Sequence, residues 1–132
     1  MYFPFMYYEI TQGIEVEVVP EYLPEESLPE ASQFVFAYHI TISNKGDTEI
    51  QLISRHWIIT DGTGVVQEVK GPGVIGEQPK LKPGQNHKYS SFCPLPTPTG
   101  NMRGTFQMVN SLGAKFDVKI PLFFLRDARL VH

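Results

Sequence analysis

Apolar and polar residues alternate along much of the chain, and this period-two pattern predicts β-strands with one buried face. The first such stretch has Ile14, Val16 and Val18 separated by Glu15 and Glu17. The clearest stretch follows residue 33, with Phe34, Phe36, Tyr38, Ile40 and Ile42 on one side and Val35, Ala37, His39, Thr41 and Ser43 on the other. Both are predicted to be strands of a sheet that covers a core.

The segment between these strands, residues 20–32, is rich in proline and glutamate. Proline donates no ladder hydrogen bond, so the composition predicts a long acidic surface loop instead of a helix or a central strand. After the second strand, Asn44 to Asp47 predict a turn that reverses the chain.

The third predicted strand, Ile50 to Thr60, has two faces that compete for the core: Leu52, Ser54, His56 and Ile58 against Ile53, Arg55, Trp57 and Ile59. The Trp57 face is predicted to be buried, because tryptophan offers more area to bury than any other side chain. Arg55 shares that face and would then need a carboxylate or carbonyl partner, whereas His56 lies on the other face.

The second half of the chain continues the strand pattern. Asp61-Gly62 predicts a tight hairpin into a strand from Val65 to Val69, and another strand is predicted from Asn86 to Phe92. Prolines 94, 96 and 98 are expected to interrupt the strand after this point. The last two strands place on one face Met102, Gly104, Phe106 and Met108, and then Phe116, Val118, Ile120 and Leu122. Pro121 predicts that the end of the last strand lies at a sheet edge.

These strands predict an all-β fold, a two-sheet antiparallel sandwich of about seven strands, immunoglobulin-like or fibronectin type III-like. The chain has one cysteine, Cys93, and so cannot form an internal disulfide. The core is therefore expected to be held by apolar packing around Trp57, Phe36, Phe106 and Phe116.

The glycine-rich segment from Gly71 to Gly76 has the Gly-x-Gly-x-x-Gly spacing of dinucleotide sites. That mechanism requires a helix directly after the glycines, and residues 77–84 contain two prolines and no helical spacing. No helix is therefore predicted between Val74 and Lys82. The favoured interpretation is a structural turn, and the alternative is a backbone anion nest formed by Gly71, Gly73 and Gly76, with Lys80 and Lys82, and also Lys70, as counter-charge.

Composition narrows the classes of partner. The chain of 132 residues has a net charge of −3 and no basic run, which argues against direct binding of duplex nucleic acid. No apolar stretch approaches the roughly 20 residues of a membrane span. The N-terminus, residues 1–10, lacks the features of a signal peptide and is expected to be part of the fold. The lone cysteine fits a cytoplasmic location.

No catalytic or metal site is predicted, and no cofactor is expected. Ser90, Ser91 and Cys93 are potential nucleophiles, but no nucleophile elbow or Cys-His arrangement accompanies them. His39 and His56 could approach each other on neighbouring strands, yet two ligands make a weak site. The other histidines, His87 and His132, are far from these in the sequence, and Arg103 is interpreted as a structural residue.

Five segments resemble, in order and separation, the ApaG family: FAYHITISN at 36–44, SRHWIITD at 54–61, GPGVIGEQP at 71–79, LKPG at 81–84 and TPTGNMRG at 97–104. The likeness runs from about Gly13 to Leu125, within a single domain of residues 1–132 that ends in a short tail, residues 126–132. The resemblance implies a fibronectin type III-like sandwich without a settled activity. It also implies either a protein-binding module or the binding of pyrophosphate or a nucleotide at the glycine motif.

The expected function is therefore that of a non-enzymatic interaction module with a protein partner. Its contact surface is expected at the glycine loop, at the strand edge near Pro121, or at both, and edge pairing would also allow a homodimer. The alternative is a small-anion binder or weak phosphohydrolase that uses Gly71, Gly73 and Gly76.

Overall fold

The computed structural model describes residues 5–127, which form an antiparallel two-sheet sandwich. The nine strands are β1 (Tyr7–Thr11), β2 (Ile14–Tyr22), β3 (Phe34–Asn44), β4 (Ile50–Asp61), β5 (Val66–Pro72), β6 (Lys80–Leu81), β7 (Asn86–Leu95), β8 (Thr99–Asn110) and β9 (Lys115–Arg126). The predicted all-β sandwich is confirmed. The two strands that sequence reasoning missed are the short β1 and β6. Residues 1–4 and 128–132, which include most of the predicted tail and His132, lie outside the described residues.

The first sheet has the order β1-β2-β3-β7, and the second has the order β5-β4-β8-β9 with β6 paired to β4. The turn after Asn44 therefore leads into the opposite sheet and does not form a hairpin. Asn44 is buried there, and its Nδ2 donates hydrogen bonds to the carbonyls of Thr48 and Leu81, each at 2.9 Å. The carboxamide thus ties the crossing between sheets to the start of β4 and to β6.

A β-bulge explains why two faces of β4 compete in the sequence. The pairing of β4 with β8 shifts register between Leu52 and Ser54. Because one extra residue inverts the alternation, Leu52 is buried before the bulge and Trp57 is buried after it, while Ile53 is 37% exposed. The prediction for Trp57 is confirmed, and both faces belong to the core on their own side of the bulge.

A second bulge corrects the prediction for β9. Met102 pairs with Phe123 but Gly104 pairs with Ile120, which leaves Pro121 and Leu122 without ladder partners. Beyond this bulge Phe123 and Leu125 are buried, and Leu122, predicted to be in the core, is 47% exposed. Strand β9 is an edge strand, as predicted from its proline, but Pro121 itself is buried.

The loop formed by the acidic segment is shorter than predicted. Strand β2 continues through Pro20 to Tyr22, and the rest contains two short 3-10 helices, Pro24–Glu26 and Pro29–Ala31. Pro20 is tolerated because β1 pairs with β2 only as far as Val18, so β2 has an open side from there on. Similarly, Pro94 lies inside β7, the edge strand of the first sheet, and does not end it.

Aromatic side chains pack together at the centre of the core. The Trp57 ring on β4 lies edge-on to Phe106 and Phe123 of the same sheet, with centroids 6.4 and 5.9 Å apart. Phe36 is fully buried, and Phe116 is only partly buried against the cluster. Phe116 was predicted to be a core anchor, but Phe123 takes that place. The sequence did not indicate Phe123, because the bulge in β9 inverts the alternation.

The two flanks of the sandwich differ. On one flank β9 packs against β1 and β2, the Lys119 N–H donates to Thr11 Oγ1 at 3.1 Å, and the Lys119 ammonium lies 3.7 Å from a Glu9 carboxylate oxygen. We call this side the closed flank. On the other side the edge strands β5 and β7 border a cleft between the sheets, and we call this side the open flank.

Candidate functional site

The glycine motif forms a tight turn at the end of β5, and residues 74–82 contain no helix. Val74 and Glu77 exchange backbone hydrogen bonds of 2.8 and 3.0 Å, and both central residues, Ile75 and Gly76, have positive φ. This is the geometry of a type I′ turn. The helix N-terminus that a dinucleotide site needs is therefore replaced by a hairpin-like turn.

One donor of the predicted anion nest and two donors beside it are already used. The N–H of Gly73 donates to the carbonyl of Ile53 at 2.8 Å. The N–H groups of Val74 and Glu77 each donate to the carbonyl oxygen of the other residue. Lys80 lies in β6, paired with Gln51, and Lys82 follows it. Among residues 5–127, neither lysine ammonium has an ion-pair partner.

The glycine segment instead holds Arg55. The Arg55 Nη1 donates to the carbonyls of Pro72 and Gly73, both at 2.9 Å. This confirms the prediction that an arginine on the Trp57 face needs carbonyl or carboxylate partners. Gly71 is opposite Arg55 in the ladder, and a Cβ there would lie 3.0 Å from Arg55 Nη2. Glycine at this position therefore leaves room for the guanidinium.

The fixed guanidinium faces the cleft of the open flank, a cavity of about 250 Å³. Strands from both sheets line it with Tyr38, Arg55, Trp57, Gln67, Val69, Ser91, Cys93 and Met102, among others. Two of the β7 residues that line it, Ser91 and Cys93, were noted in the sequence as potential nucleophiles. Their arrangement around Arg55 was missed, because the sequence does not show that β5 and β7 come to the same flank.

The hydroxyl and thiol groups in and behind the cleft are neutral. Burial raises the pKa of Tyr38 above its ordinary value, against a smaller lowering by its hydrogen bond to Ser91. Burial also raises the pKa of Cys93 to about 11 and raises the pKa of Tyr89, whose buried hydroxyl has no hydrogen-bond partner in the described chain. Cys93 is therefore a thiol at neutral pH and a poor nucleophile.

Arg55 is therefore the one formally charged residue among those that line the cleft. No Asp or Glu side chain of residues 5–127 lies within ion-pairing distance of its guanidinium. Carbonyl oxygens orient the group but do not neutralise it. The cleft therefore combines a fixed positive charge with hydroxyl groups and apolar walls.

A hydrogen-bonded chain of Ser90, His39 and Glu21 lies on the outer face of the first sheet. His39 Nδ1 is 2.6 Å from Ser90 Oγ, and His39 Nε2 is 2.9 Å from Glu21 Oε1. The connectivity is that of a hydrolytic triad, but it spans three adjacent strands on a solvent-facing surface away from the cleft. Sequence reasoning missed it because only the register between β3 and β7 places Ser90 opposite His39.

The expected approach of His39 to His56 is wrong, since the two strands belong to opposite sheets. His56 lies on the outer face of the second sheet, where its Nε2 is 2.8 Å from Glu68 and this hydrogen bond lowers the pKa of Glu68. Arg103 is exposed nearby. No group of three or more potential metal ligands occurs in the described part of the chain.

Within residues 5–127 no helix has the length and apolar character needed to span a membrane.

Comparison with known proteins shows which family and which relatives the chain is similar to. Residues 24–110 match the family described as the ApaG domain. A relative named Protein ApaG from Aromatoleum aromaticum is 55% identical over 90% of this chain and 94% of its own, and one from Rhodospirillum centenum is 53% identical over 91% and 92%. The protein in a crystal structure from Bordetella pertussis, described as the putative ApaA protein, is 51% identical in sequence. Its TM-score is 0.86, and the match covers 92% of this chain and 96% of that one.

Proposed function

The chain belongs to the ApaG domain family, and on that premise we propose that it is a non-enzymatic, cytoplasmic binding module that holds a protein segment at its open flank. The observation that carries this proposal is the pair of strand edges, β5 and β7, on either side of a cleft that contains Arg55. An unpaired edge can accept an added strand from a partner, and a pocket beside it can select a side chain.

Exposed apolar residues along these edges support the proposal. Val65 and Val66 at the start of β5 are 64% and 58% exposed, and Phe92 on β7 is 64% exposed. Soluble domains commonly keep open edges short or charged to prevent unwanted pairing. Apolar side chains beside both edges therefore favour a surface that a partner covers. The closed flank also exposes apolar side chains, Tyr8 and Phe124 among them, but its strands β1, β2 and β9 pack on one another.

Site-specific photo-crosslinking in cells tests the module directly. A photoreactive residue at Val66 or Phe92 is expected to give discrete adducts with one partner or with a second copy of the chain. The matched control is Leu112, which is 83% exposed and lies in the turn between β8 and β9. The same adduct pattern from all three positions, or no adducts from the two flank positions, would reject the proposal.

The absence of hydrolytic activity is a separate part of the proposal, because the chain Ser90–His39–Glu21 has the connectivity of a triad. Efficient acyl transfer also needs a water-excluded site with oxyanion donors, and these three residues lie on an outer sheet surface. The rate of hydrolysis of an activated ester is therefore expected to be the same for the wild type and Ser90→Ala. A loss of rate in Ser90→Ala would show that the protein is an esterase.

A second candidate function is the binding of a small anion, such as pyrophosphate or a nucleotide phosphate, at the glycine turn. It is favoured by the N–H groups of Ile75 and Gly76, which have no acceptor in residues 5–127, and by Lys80 and Lys82 in the following residues. At about 100 times its Kd, a ligand adds roughly 2.7 kcal/mol to stability. An unchanged melting temperature with pyrophosphate and ATP, or the same shift in the double variant Lys80→Gln and Lys82→Gln, would reject this site.

A further inference from the structure

We propose that the cleft of the open flank is a binding site for a carboxylate carried on a short apolar group, with Arg55 as its counter-charge. The inference rests on the proposed binding function and names the chemistry that the flank recognises. Two sources share this chemistry: the C-terminal residue of a peptide strand and a free small carboxylic acid.

The charge of the cleft selects the anion. Arg55 is partly buried, and its Nη1 is occupied by the carbonyls of Pro72 and Gly73. Within the described residues, its other nitrogens have no hydrogen-bond acceptor and no carboxylate pairs with it. A guanidinium held in this way is pre-oriented, and charge-assisted hydrogen bonds to a carboxylate are the strong class.

Two neutral hydroxyl groups share the cleft with the arginine. Ser91 and Tyr38 bring hydroxyl groups to the same cleft from β7 and β3, and burial keeps the tyrosine protonated by raising its pKa. These two hydroxyl groups are hydrogen-bonded to each other, which leaves one of their two protons to donate, so a carboxylate beside Arg55 would meet one hydroxyl donor and no competing anion. The site is unsuited to a cation, since its one formal charge is positive.

The size and walls of the cleft select what carries the carboxylate. Pockets for drug-sized ligands occupy about 300–1,000 Å³, so a cavity of about 250 Å³ fits one side chain or a very small molecule and is small for a nucleotide. Trp57, Val69 and Met102 contribute apolar groups to its walls. An aliphatic side chain next to its own carboxylate, as at the end of a peptide, satisfies both requirements.

The open edges of β5 and β7 give the peptide a place to lie. A strand added to either edge runs along the border of the cleft, so its last residue can turn inward while its backbone pairs with the edge. This geometry predicts that a peptide with a free C-terminus binds more tightly than the isolated amino acid.

Trp57 provides the readout, because it is the single tryptophan of the chain and lines the cleft. Its fluorescence is followed during titration with N-acetyl-leucine, N-acetyl-leucine amide, and a leucine-terminated pentapeptide with a free or an amidated C-terminus, at constant ionic strength. We expect the acids to bind at least ten times more tightly than the amides. Equal affinity of acid and amide, or no change with either acid, overturns the proposal.

Protein variants locate the site. Arg55→Gln is expected to lose the preference for the acid, whereas the matched control Arg103→Gln removes an exposed charge from the adjacent strand β8 and is expected to bind normally. Gly71→Ala keeps the charge but places a Cβ 3.0 Å from Arg55 Nη2, and is expected to weaken binding of the acid. If Arg55→Gln does not fold, Gly71→Ala and the comparison of acid with amide still decide; unchanged binding in Gly71→Ala, checked for its fold by circular dichroism, counts against Arg55.

The two sources and the two proposals are separated by the same titration. Tighter binding of the free-terminus pentapeptide than of N-acetyl-leucine supports the site and the peptide as its ligand. Binding of N-acetyl-leucine without binding of the pentapeptide supports the carboxylate site with a small molecule as its source, and rejects strand addition at this flank. Failure of both acids together with specific crosslinks at Val66 rejects the site and leaves the binding module intact.

Discussion

The ring of Tyr38 on β3 meets the ring of Trp57 on β4 edge-on, with centroids 5.2 Å apart and planes at 63°. This contact joins the two sheets, and both residues also line the cleft of the open flank. The aromatic core and the candidate site therefore share side chains, and variants of either residue have to be separated into effects on packing and effects on the site.

The hydroxyl of Tyr38 can be separated from its ring. Tyr38→Phe keeps the contact with Trp57 and removes the hydrogen bond to Ser91, so we expect a loss of about 0.5–1.5 kcal/mol in the free energy of unfolding. Tyr38→Ala also removes the ring and is expected to cost about 3–5 kcal/mol. Urea denaturation measures both, and equal losses would show that the ring contact contributes little.

The glycines of the turn are predicted to tolerate alanine very differently. At Gly73 the φ is +61° and a Cβ would lie 2.3 Å from the Glu77 carbonyl oxygen, so Gly73→Ala must break the turn and should destabilise the fold severely or prevent folding. At Gly76 the φ is +76° but no atom lies within 4 Å of a Cβ. Gly76→Ala is therefore expected to cost only about 1–2 kcal/mol, and denaturation of the two purified variants tests the contrast.

Cys93 predicts a loss of stability at alkaline pH. Its pKa rises from 9.0 to about 11 on folding because the thiol is buried. A raised pKa in the folded state stabilises the fold fully below pH 9, and that contribution disappears as the pH rises through about 11. The magnitude is on the order of 2–3 kcal/mol.

The control for this effect is Cys93→Ala, which cannot titrate at this position. Between pH 8.5 and 11 the free energy of unfolding should fall more steeply for the wild type than for the variant, although Tyr38 and Tyr89 contribute to both at the upper end. Parallel pH profiles would mean that the thiol ionises as easily in the folded protein as in the unfolded chain.

The bulge in β9 is tested by two adjacent residues. Phe123 is fully buried against Trp57, so Phe123→Ala is expected to cost about 3–5 kcal/mol. Leu122 points outward, and Leu122→Ala is expected to change the free energy of unfolding by no more than about 0.5 kcal/mol. The opposite order would mean that the strand continues its alternation without the bulge.

The strands and most of the buried positions could be predicted from the sequence, because alternation is a local property of one strand. Phe36, Trp57 and Phe106 were identified in this way, and so was the need of Arg55 for carbonyl partners. The errors at Ile53 and Leu122 have one cause: a bulge inverts the alternation, and it depends on pairing with another strand.

The candidate site could not be predicted for the same reason. The sequence drew attention to the glycines, but it does not reveal that their carbonyls face Arg55 or that Ser91 comes from an edge strand of the opposite sheet. Likewise, Ser90 and His39 are 51 positions apart and meet only through the register of β3 with β7.

The closed flank sets an order on biosynthesis. Of the strands in residues 5–127, β1 is made first and β9 last, yet they pack together, and β9 supplies Val118, Ile120, Phe123 and Leu125 to the interior. While a ribosome is still translating β9, the nascent chain has β1 and β2 exposed on the side that β9 will cover. The sandwich can be completed only after β9 has left the exit tunnel, so the inner side of β1 and β2 has to wait for β9 before it is covered.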